Sequence, residues 1–249
     1  MTDAYRDFPP PIGVRTVRPS TFAQYRTLLA RDLRQEFRTR EMLSSMGIYA
    51  VLVLVIFGAS FAQVAHEMDL LKISGGLIWA LIVFTSLLGL NRSFSREREE
   101  GALEGVLLVP LDRSIIFLAK ATANLLFLLT VELITLPLFF FLFLSGSEFP
   151  TTFWMILGPL GAGSVGIAGV GTLLATMTAN TRGKDVLLAV LFIPLAWPLL
   201  YACVVATTAA LLGPEAVEVS YLGPVVLALG YDVILIAVSW LLYDFVVSA

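Results

Sequence analysis

The sequence contains very little of what most soluble enzymes use for their chemistry. Its 249 residues include one cysteine, Cys203, and one histidine, His66. A single cysteine excludes an internal disulfide framework and a zinc site built on several thiolates, so no metal site is predicted. Charged residues make up only 14% of the chain, well below the roughly 25% typical of soluble domains. The sequence also lacks a Gly-x-x-x-x-Gly-Lys-Ser/Thr phosphate loop, so we do not expect this chain to hydrolyse ATP itself.

What the sequence has in abundance is apolar length. Hydrophobic residues make up 58% of the chain, and six windows reach the roughly 20 residues that a helix needs to cross a bilayer core. Because lipid offers the backbone no hydrogen-bond partners, such spans are helical. The windows are residues 46–65, 71–90, 115–144, 153–177, 186–212 and 223–245. The sequence therefore predicts an all-α polytopic membrane protein with a six-helix transmembrane domain over residues 46–249.

The positive charges lie almost entirely on one side of this layout. Of the 16 lysine and arginine residues, all but Lys72 fall on the same side if the six spans alternate in direction. The positive-inside rule assigns that side to the cytoplasm. Both termini are therefore predicted to be cytoplasmic, with residues 1–18 forming a disordered tail.

A charged segment, residues 19–45, precedes the first span. Its apolar residues recur at three- and four-residue steps, which gives one apolar stripe on a helix whose other face is rich in arginine. The stripe consists of Phe22, Tyr25, Leu29, Leu33 and Phe37. We expect an amphipathic helix on the inner membrane surface, with its arginines near anionic headgroups. The alternative is a helix that holds a partner protein, and the pattern alone favours neither.

The most informative cytoplasmic segment is residues 91–113, between the second and third spans. It begins as a dense cluster of charges, turns at Gly101, continues as a short apolar helix and stops at Pro110. Such a helix suits a groove in another protein, where its charges would set the orientation of binding. The alternative is a solvated loop whose mixed charges only keep the protein soluble.

This segment resembles the signature of the CcmB family, the heme exporter protein B of cytochrome c maturation, which reads Phe-x-x-Asp-x-x-Asp-Gly-Ser-Leu-Glu. The matching positions are Phe94, Glu97, Glu100, Gly101, Ala102, Leu103 and Glu104. Residues 75–79 and 87–92 resemble the Gly-x-x-Trp and Leu-Leu-x-Leu runs of the family, and residues 107–111 and 118–120 continue the likeness. The carboxylates are glutamates where the family has aspartates, and Gly105 replaces a glutamine. Both departures resemble the pattern of general ABC-2 type permeases.

The resemblance implies that the chain is a transport subunit of the bacterial cytoplasmic (inner) membrane and not an enzyme. In the family this segment docks on a separate CcmA-like ATPase, which binds the ATP. Further implied partners are CcmC- and CcmD-like membrane proteins and a CcmE-like periplasmic heme chaperone, in a dimer or heteromer that binds no nucleic acid. Heme is implied as cargo, either exported or released on its chaperone, and no cofactor is expected to be bound by this chain. The alternatives are an ABC-2 type permease for a lipid, drug or other solute, and a membrane scaffold that transports nothing.

Polar residues inside the apolar windows are candidates for a polar path through the membrane. Glu132 lies near the middle of the third window, where an ionised side chain costs about 3 kcal/mol or more. It marks either a substrate path or a carboxyl group that holds helices together near Pro137, and Asn124, two turns earlier, fits both interpretations. Asp232 is a weaker case of the same kind. His66, in an outer loop, is expected to be solvated and not a heme ligand.

The fourth window is rich in glycine. Small residues on a membrane helix let neighbouring helices approach closely, so we expect packing here and not ligand binding. The glycines are Gly158, Gly161, Gly163, Gly166, Gly169 and Gly171.

Overall fold

Seven α-helices and one 3₁₀ helix make up the regular structure of the part of the chain that the computed structural model describes, residues 20–61, 69–99, 113–145, 148, 151–178, 183–213 and 221–248. The elements in chain order are α1 (Thr21–Thr39), α2 (Glu41–Phe61), α3 (Leu70–Glu99), α4 (Arg113–Leu144), the 3₁₀ helix (Thr151–Ile156), α5 (Leu157–Thr178), α6 (Lys184–Leu212) and α7 (Leu222–Ser248). Six helical segments, α2 to α7 with the 3₁₀ helix joined to α5, are long and apolar enough to cross a membrane. The predicted six-span, all-α fold is therefore confirmed.

Helix α5 lies at the centre of the bundle. It packs against α3, α4, α6 and α7, while α2 packs against α3 and α4 on one side. The spans of α3 and α5 are mostly buried, whereas α2, α4, α6 and α7 turn most of their apolar side chains outward. Such outward apolar surface is suited to contact with lipid chains.

The glycines of α5 receive bulky side chains from the neighbouring helices. Trp79 of α3 lies directly over Gly163, where the ring occupies the space that a Cβ atom would need. The indole Nε1 of the same tryptophan donates a hydrogen bond to Thr207 Oγ1 of α6 at 3.0 Å. Leu90 of α3 fills the equivalent space at Gly171. The missing side chains thus let α3 approach α5 closely, as expected for small residues at helix interfaces.

A tight corner joins α1 to α2. Arg40 ends α1 in the left-handed conformation, with φ 55°, and its N–H donates to the Glu36 carbonyl at 2.6 Å. The buried Glu36 carboxylate then accepts a hydrogen bond at 2.9 Å from the backbone N–H of Leu43, in the first turn of α2. A carboxylate at this position satisfies a free amide and complements the positive end of the helix dipole.

Several helices differ in extent from the apolar windows, and α2 begins at Glu41, five residues before the first window. Helix α3 continues past residue 90 to Glu99, because the polar residues that leave the membrane still favour helix. The fourth window starts as the 3₁₀ helix and becomes α-helical only at Leu157. At this end Thr152 Oγ1 donates to the Ala210 carbonyl at 3.1 Å, and the Tyr221 hydroxyl donates to the Met155 carbonyl at 2.7 Å. Partial burial raises the pKa of the Tyr221 hydroxyl.

Candidate functional site

The proposed coupling segment begins on α3 and ends at the start of α4. The backbone of Phe94 and Glu97 lies in the last turns of α3. Glu100, Gly101, Leu103 and Glu104 lie outside the described residues, as does the short apolar helix predicted before Pro110. The structure therefore gives the two helices that hold the ends of this segment, and the roles of its residues stay predictions.

A salt bridge links the part of α3 next to this segment to the start of α2. Arg92 Nη1 lies 3.4 Å from Glu41 Oε1, at the first residue of α2. Both side chains are about half exposed, and an exposed pair of this kind contributes at most about 1 kcal/mol. The pair shows that the start of α2 and this part of α3 lie side by side, at the end of the bundle where α1 joins α2.

Helix α1 lies against α4 through polar contacts that the sequence did not reveal. Lys120 of α4 is 7% exposed and interacts electrostatically with Asp32 of α1. The Asp32 carboxylate also accepts a hydrogen bond from Arg31 Nε at 3.0 Å. Two turns before Asp32 on α1, the Tyr25 hydroxyl donates to Thr122 Oγ1 of α4 at 3.2 Å. A buried lysine requires an opposite charge nearby, so these contacts define where α1 sits.

A small apolar cluster extends the α1 interface to the ends of three other helices. Phe117 of α4, Leu173 of α5 and Tyr243 of α7 are buried together, with Leu28 of α1 packed against them. The rings of Phe117 and Tyr243 are 5.2 Å apart, a favourable distance for an aromatic pair. Helix α1 thus packs on α4 next to the point where the ends of α5 and α7 meet it.

The outward surface of α1 is both apolar and basic. Phe22 is 72% exposed and Phe37 is 63% exposed, although both belong to the predicted apolar stripe. Arg26, Arg34 and Arg38 are exposed as well. This combination of aromatic and basic residues is typical of helices that bind a membrane surface. It is also compatible with an acidic partner protein.

Two candidate residues of the polar path, Asn124 and Glu132, both face α5. Asn124 Nδ2 donates to Thr172 Oγ1 at 2.9 Å, and the Glu132 carboxylate accepts a hydrogen bond at 2.7 Å from the Ser164 hydroxyl. All four side chains are buried. The pairs are eight residues apart on both helices, as expected for antiparallel neighbours, and this corresponds to about 12 Å along the axis.

Apolar side chains lie at the level between these two hydrogen bonds. Leu128 of α4 and Ala168 of α5 are both buried there. In this conformation each polar group is paired across the α4–α5 interface, in the manner expected of carboxyl and amide groups that hold membrane helices together. A polar path through Asn124 and Glu132 stays a prediction. His66 lies outside the described residues, and no group of three or more potential metal ligands occurs among the described residues.

Comparison with known proteins gives the family of the chain. A family model described as "CcmB protein" matches residues 23–246, which include all six spans. Heme exporter protein B of Pseudomonas aeruginosa is 30% identical over 175 residues, covering 70% of this chain and 75% of that protein. The Rhodobacter capsulatus protein of the same name is 27% identical over 176 residues, covering 70% of this chain and 78% of the relative. The Escherichia coli K12 protein is 32% identical over 94 residues, which are 37% of this chain and 41% of the relative. With six apolar helices and a match over nearly its whole length, the chain belongs to the CcmB family.

Proposed function

We propose that this protein is the membrane subunit of an ABC-type heme exporter in the bacterial cytoplasmic (inner) membrane. The observation that carries the proposal is the family match across all six spans, together with relatives that are named heme exporter protein B. The chain has no phosphate loop of its own. A separate, CcmA-like ATPase would therefore supply the energy, and CcmC-, CcmD- and CcmE-like proteins would handle the heme.

Residues 91–113 are proposed as the element that receives this energy. Helix α3 is continuous for 30 residues up to Glu99, and α4 begins at Arg113. Movement of the intervening segment would therefore act directly on two long spans. Helix α1, which packs on α4, lies where it can respond to the same movement, either on the inner leaflet or against the ATPase.

Replacing the carboxylates of the segment tests the coupling. We expect the triple variant Glu97→Gln, Glu100→Gln and Glu104→Gln to insert normally but to lose co-purification with the ATPase or its stimulated ATP turnover. Glu148→Gln is a matched control, because it removes an exposed carboxylate on the predicted outer side. Unchanged association and turnover in the triple variant would refute the proposed coupling element.

Cytochrome maturation tests the cargo. Deletion of the gene is expected to abolish covalent heme attachment to c-type cytochromes, and the wild-type gene should restore it. If attachment continued in the deletion strain, and the ATPase co-purified with the chain from the wild-type strain, the protein would be an ABC-2 type permease for another solute. If heme attachment continued in the deletion strain, and the ATPase did not co-purify with the chain from the wild-type strain, a scaffold function would replace the proposal.

A further inference from the structure

Asp232 of α7 is a buried carboxyl group that the proposed function does not use. Its side chain is 4% exposed, and neither carboxylate oxygen has a hydrogen-bond partner among the described residues. Glu132, the other acidic residue deep in the bundle, has Ser164 as a partner. Buried polar groups in proteins are nearly always paired, so an unpaired carboxyl group calls for a physical explanation.

The position of Asp232 along α7 places it near the middle of the membrane. The helix begins at Leu222, and ten residues of α-helix advance about 15 Å, which is half of a hydrocarbon core of about 30 Å. An ionised carboxylate at this depth costs about 3 kcal/mol or more. No opposite charge lies beside it among the described residues, so the ionised form would require water to reach the interior of the bundle.

The surroundings of Asp232 are tight and almost entirely apolar. From α5, Gly166 faces it, and a Cβ atom at that position would overlap Oδ1 of the carboxyl group and a methyl group of Leu199. From α6, Leu199 and Cys203 face it, and both are fully buried. Of the titratable groups in the described helices, the Cys203 thiol is the one that interacts electrostatically with Asp232. Ser164, and with it Glu132, lies on a different face of α5.

We propose that Asp232 is a proton-binding site that closes when α5, α6 and α7 pack together. A metal ion would need several oxygen ligands, and the described part of the chain brings no group of three or more His, Cys, Asp or Glu side chains together at Asp232. A proton needs no further ligand, and the neutral carboxyl group fits the space left by the missing side chain of Gly166. Release of the proton then requires α7 to separate from α5 and α6, so that opening of this interface is coupled to the loss of one proton.

Cys203 provides a reporter for this opening. It is the single cysteine of the chain and is fully buried. It belongs to α6 and lies beside Asp232 of α7. The rate at which a membrane-permeant maleimide labels Cys203 would be measured against pH in the purified wild-type protein and in Asp232→Asn. Asparagine has nearly the same shape but cannot ionise, so dividing the two rates cancels the pH dependence that the thiol shows without the Asp232 charge. Repulsion between that charge and the thiolate lowers the ratio, so it works against the expected rise.

The expected result is a ratio of wild-type to Asp232→Asn labelling rates that rises with pH. Because opening releases one proton, the ratio should increase by up to about tenfold per pH unit once ionisation begins. A ratio that stays constant across the pH range would overturn the proposal. Cys203→Ser must show no labelling, which establishes that the signal comes from this thiol.

A second measurement uses the wild-type chain, so it tests the proposal even if the Asp232→Asn variant misfolds. A hydrophobic carbodiimide adds to a protonated carboxyl group and, after rearrangement, leaves a stable N-acylurea with no loss of atoms. Peptide mass spectrometry is expected to find this adduct on Asp232, with a yield that falls as the pH rises. Absence of the adduct, or a yield independent of pH, would contradict proton binding. Neither measurement depends on heme or on an ATPase, so this site can fail or succeed independently of the proposed transport function.

Discussion

Replacing Gly163 with alanine tests whether the close approach of α3 and α5 stabilises the bundle. A Cβ atom at this position would overlap three ring atoms of Trp79, Cη2, Cζ3 and Cζ2. The ring is 2% exposed and is also held by its hydrogen bond to Thr207. It therefore cannot move away from the new methyl group without disturbing the contact between α3 and α6.

The expected cost follows from these two contacts. Overpacking of a buried contact costs about 1–3 kcal/mol, and loss of the indole hydrogen bond adds about 1 kcal/mol. The total of about 2–4 kcal/mol corresponds to a decrease of about 4–16 °C in the melting temperature of a chain of this size. Thermal unfolding of the detergent-purified protein, followed by size-exclusion chromatography, measures this decrease.

Two further variants make the test specific. Gly161→Ala adds the same methyl group on the same helix, but nothing lies within 4 Å of it, so its melting temperature should stay close to that of the wild type. In a Trp79→Phe background the three overlapping ring atoms are absent, and Gly163→Ala should cost less than about 1 kcal/mol. Equal melting temperatures for Gly163→Ala and Gly161→Ala would refute the contact, as would an undiminished effect of Gly163→Ala in the phenylalanine background.

Three other changes address the helix contacts, and thermal unfolding measures each of them. Asp32→Ala leaves Lys120 buried without this opposite charge and is expected to destabilise the protein by about 3 kcal/mol. Lys120→Met in the same chain should recover most of this loss. No recovery would show that the two residues do not interact. Arg40→Gly relieves the left-handed backbone and should stabilise by about 1 kcal/mol, whereas Arg40→Ala should give no gain; equal effects would contradict this explanation. Ser164→Ala removes the hydrogen-bond donor of the Glu132 carboxyl group and should cost about 1–3 kcal/mol. The cost of Ser164→Ala should shrink when Glu132 is replaced by leucine, and strictly additive effects would refute the pairing.

The six spans could be predicted from the sequence because their signal is local. A run of about 20 apolar residues has few other structures available to it, and the described helices contain nearly all of each predicted window. The 3₁₀ helix at the start of the fourth span could not be predicted in the same way. Its geometry accompanies hydrogen bonds from Thr152 to Ala210 and from Tyr221 to Met155, which join residues 58 and 66 positions apart in the sequence.

In the candidate site, too, local features could be predicted from the sequence and contacts between distant residues could not. The glycines of α5 predicted close packing, but only the folded bundle shows that Gly163 receives Trp79. The electrostatic interaction of Asp32 with Lys120 could not be predicted, because the two charges belong to different helices and each alone is typical of a cytoplasmic interface. Asn124 and Glu132 were recognised as unusual, whereas their partners on α5 could not be identified from spacing.

The length of α3 has a mechanical consequence. Twenty residues of uninterrupted helix separate Glu99 from Trp79, a distance of about 30 Å, and no proline breaks this part of the chain. A straight helix of this length moves as a rigid body, so a force at one end tilts the whole helix. Because Trp79 packs directly on Gly163, a small lateral displacement of the end at Glu99 would press α3 against α5. Binding at the membrane surface would then change helix packing near the middle of the bilayer.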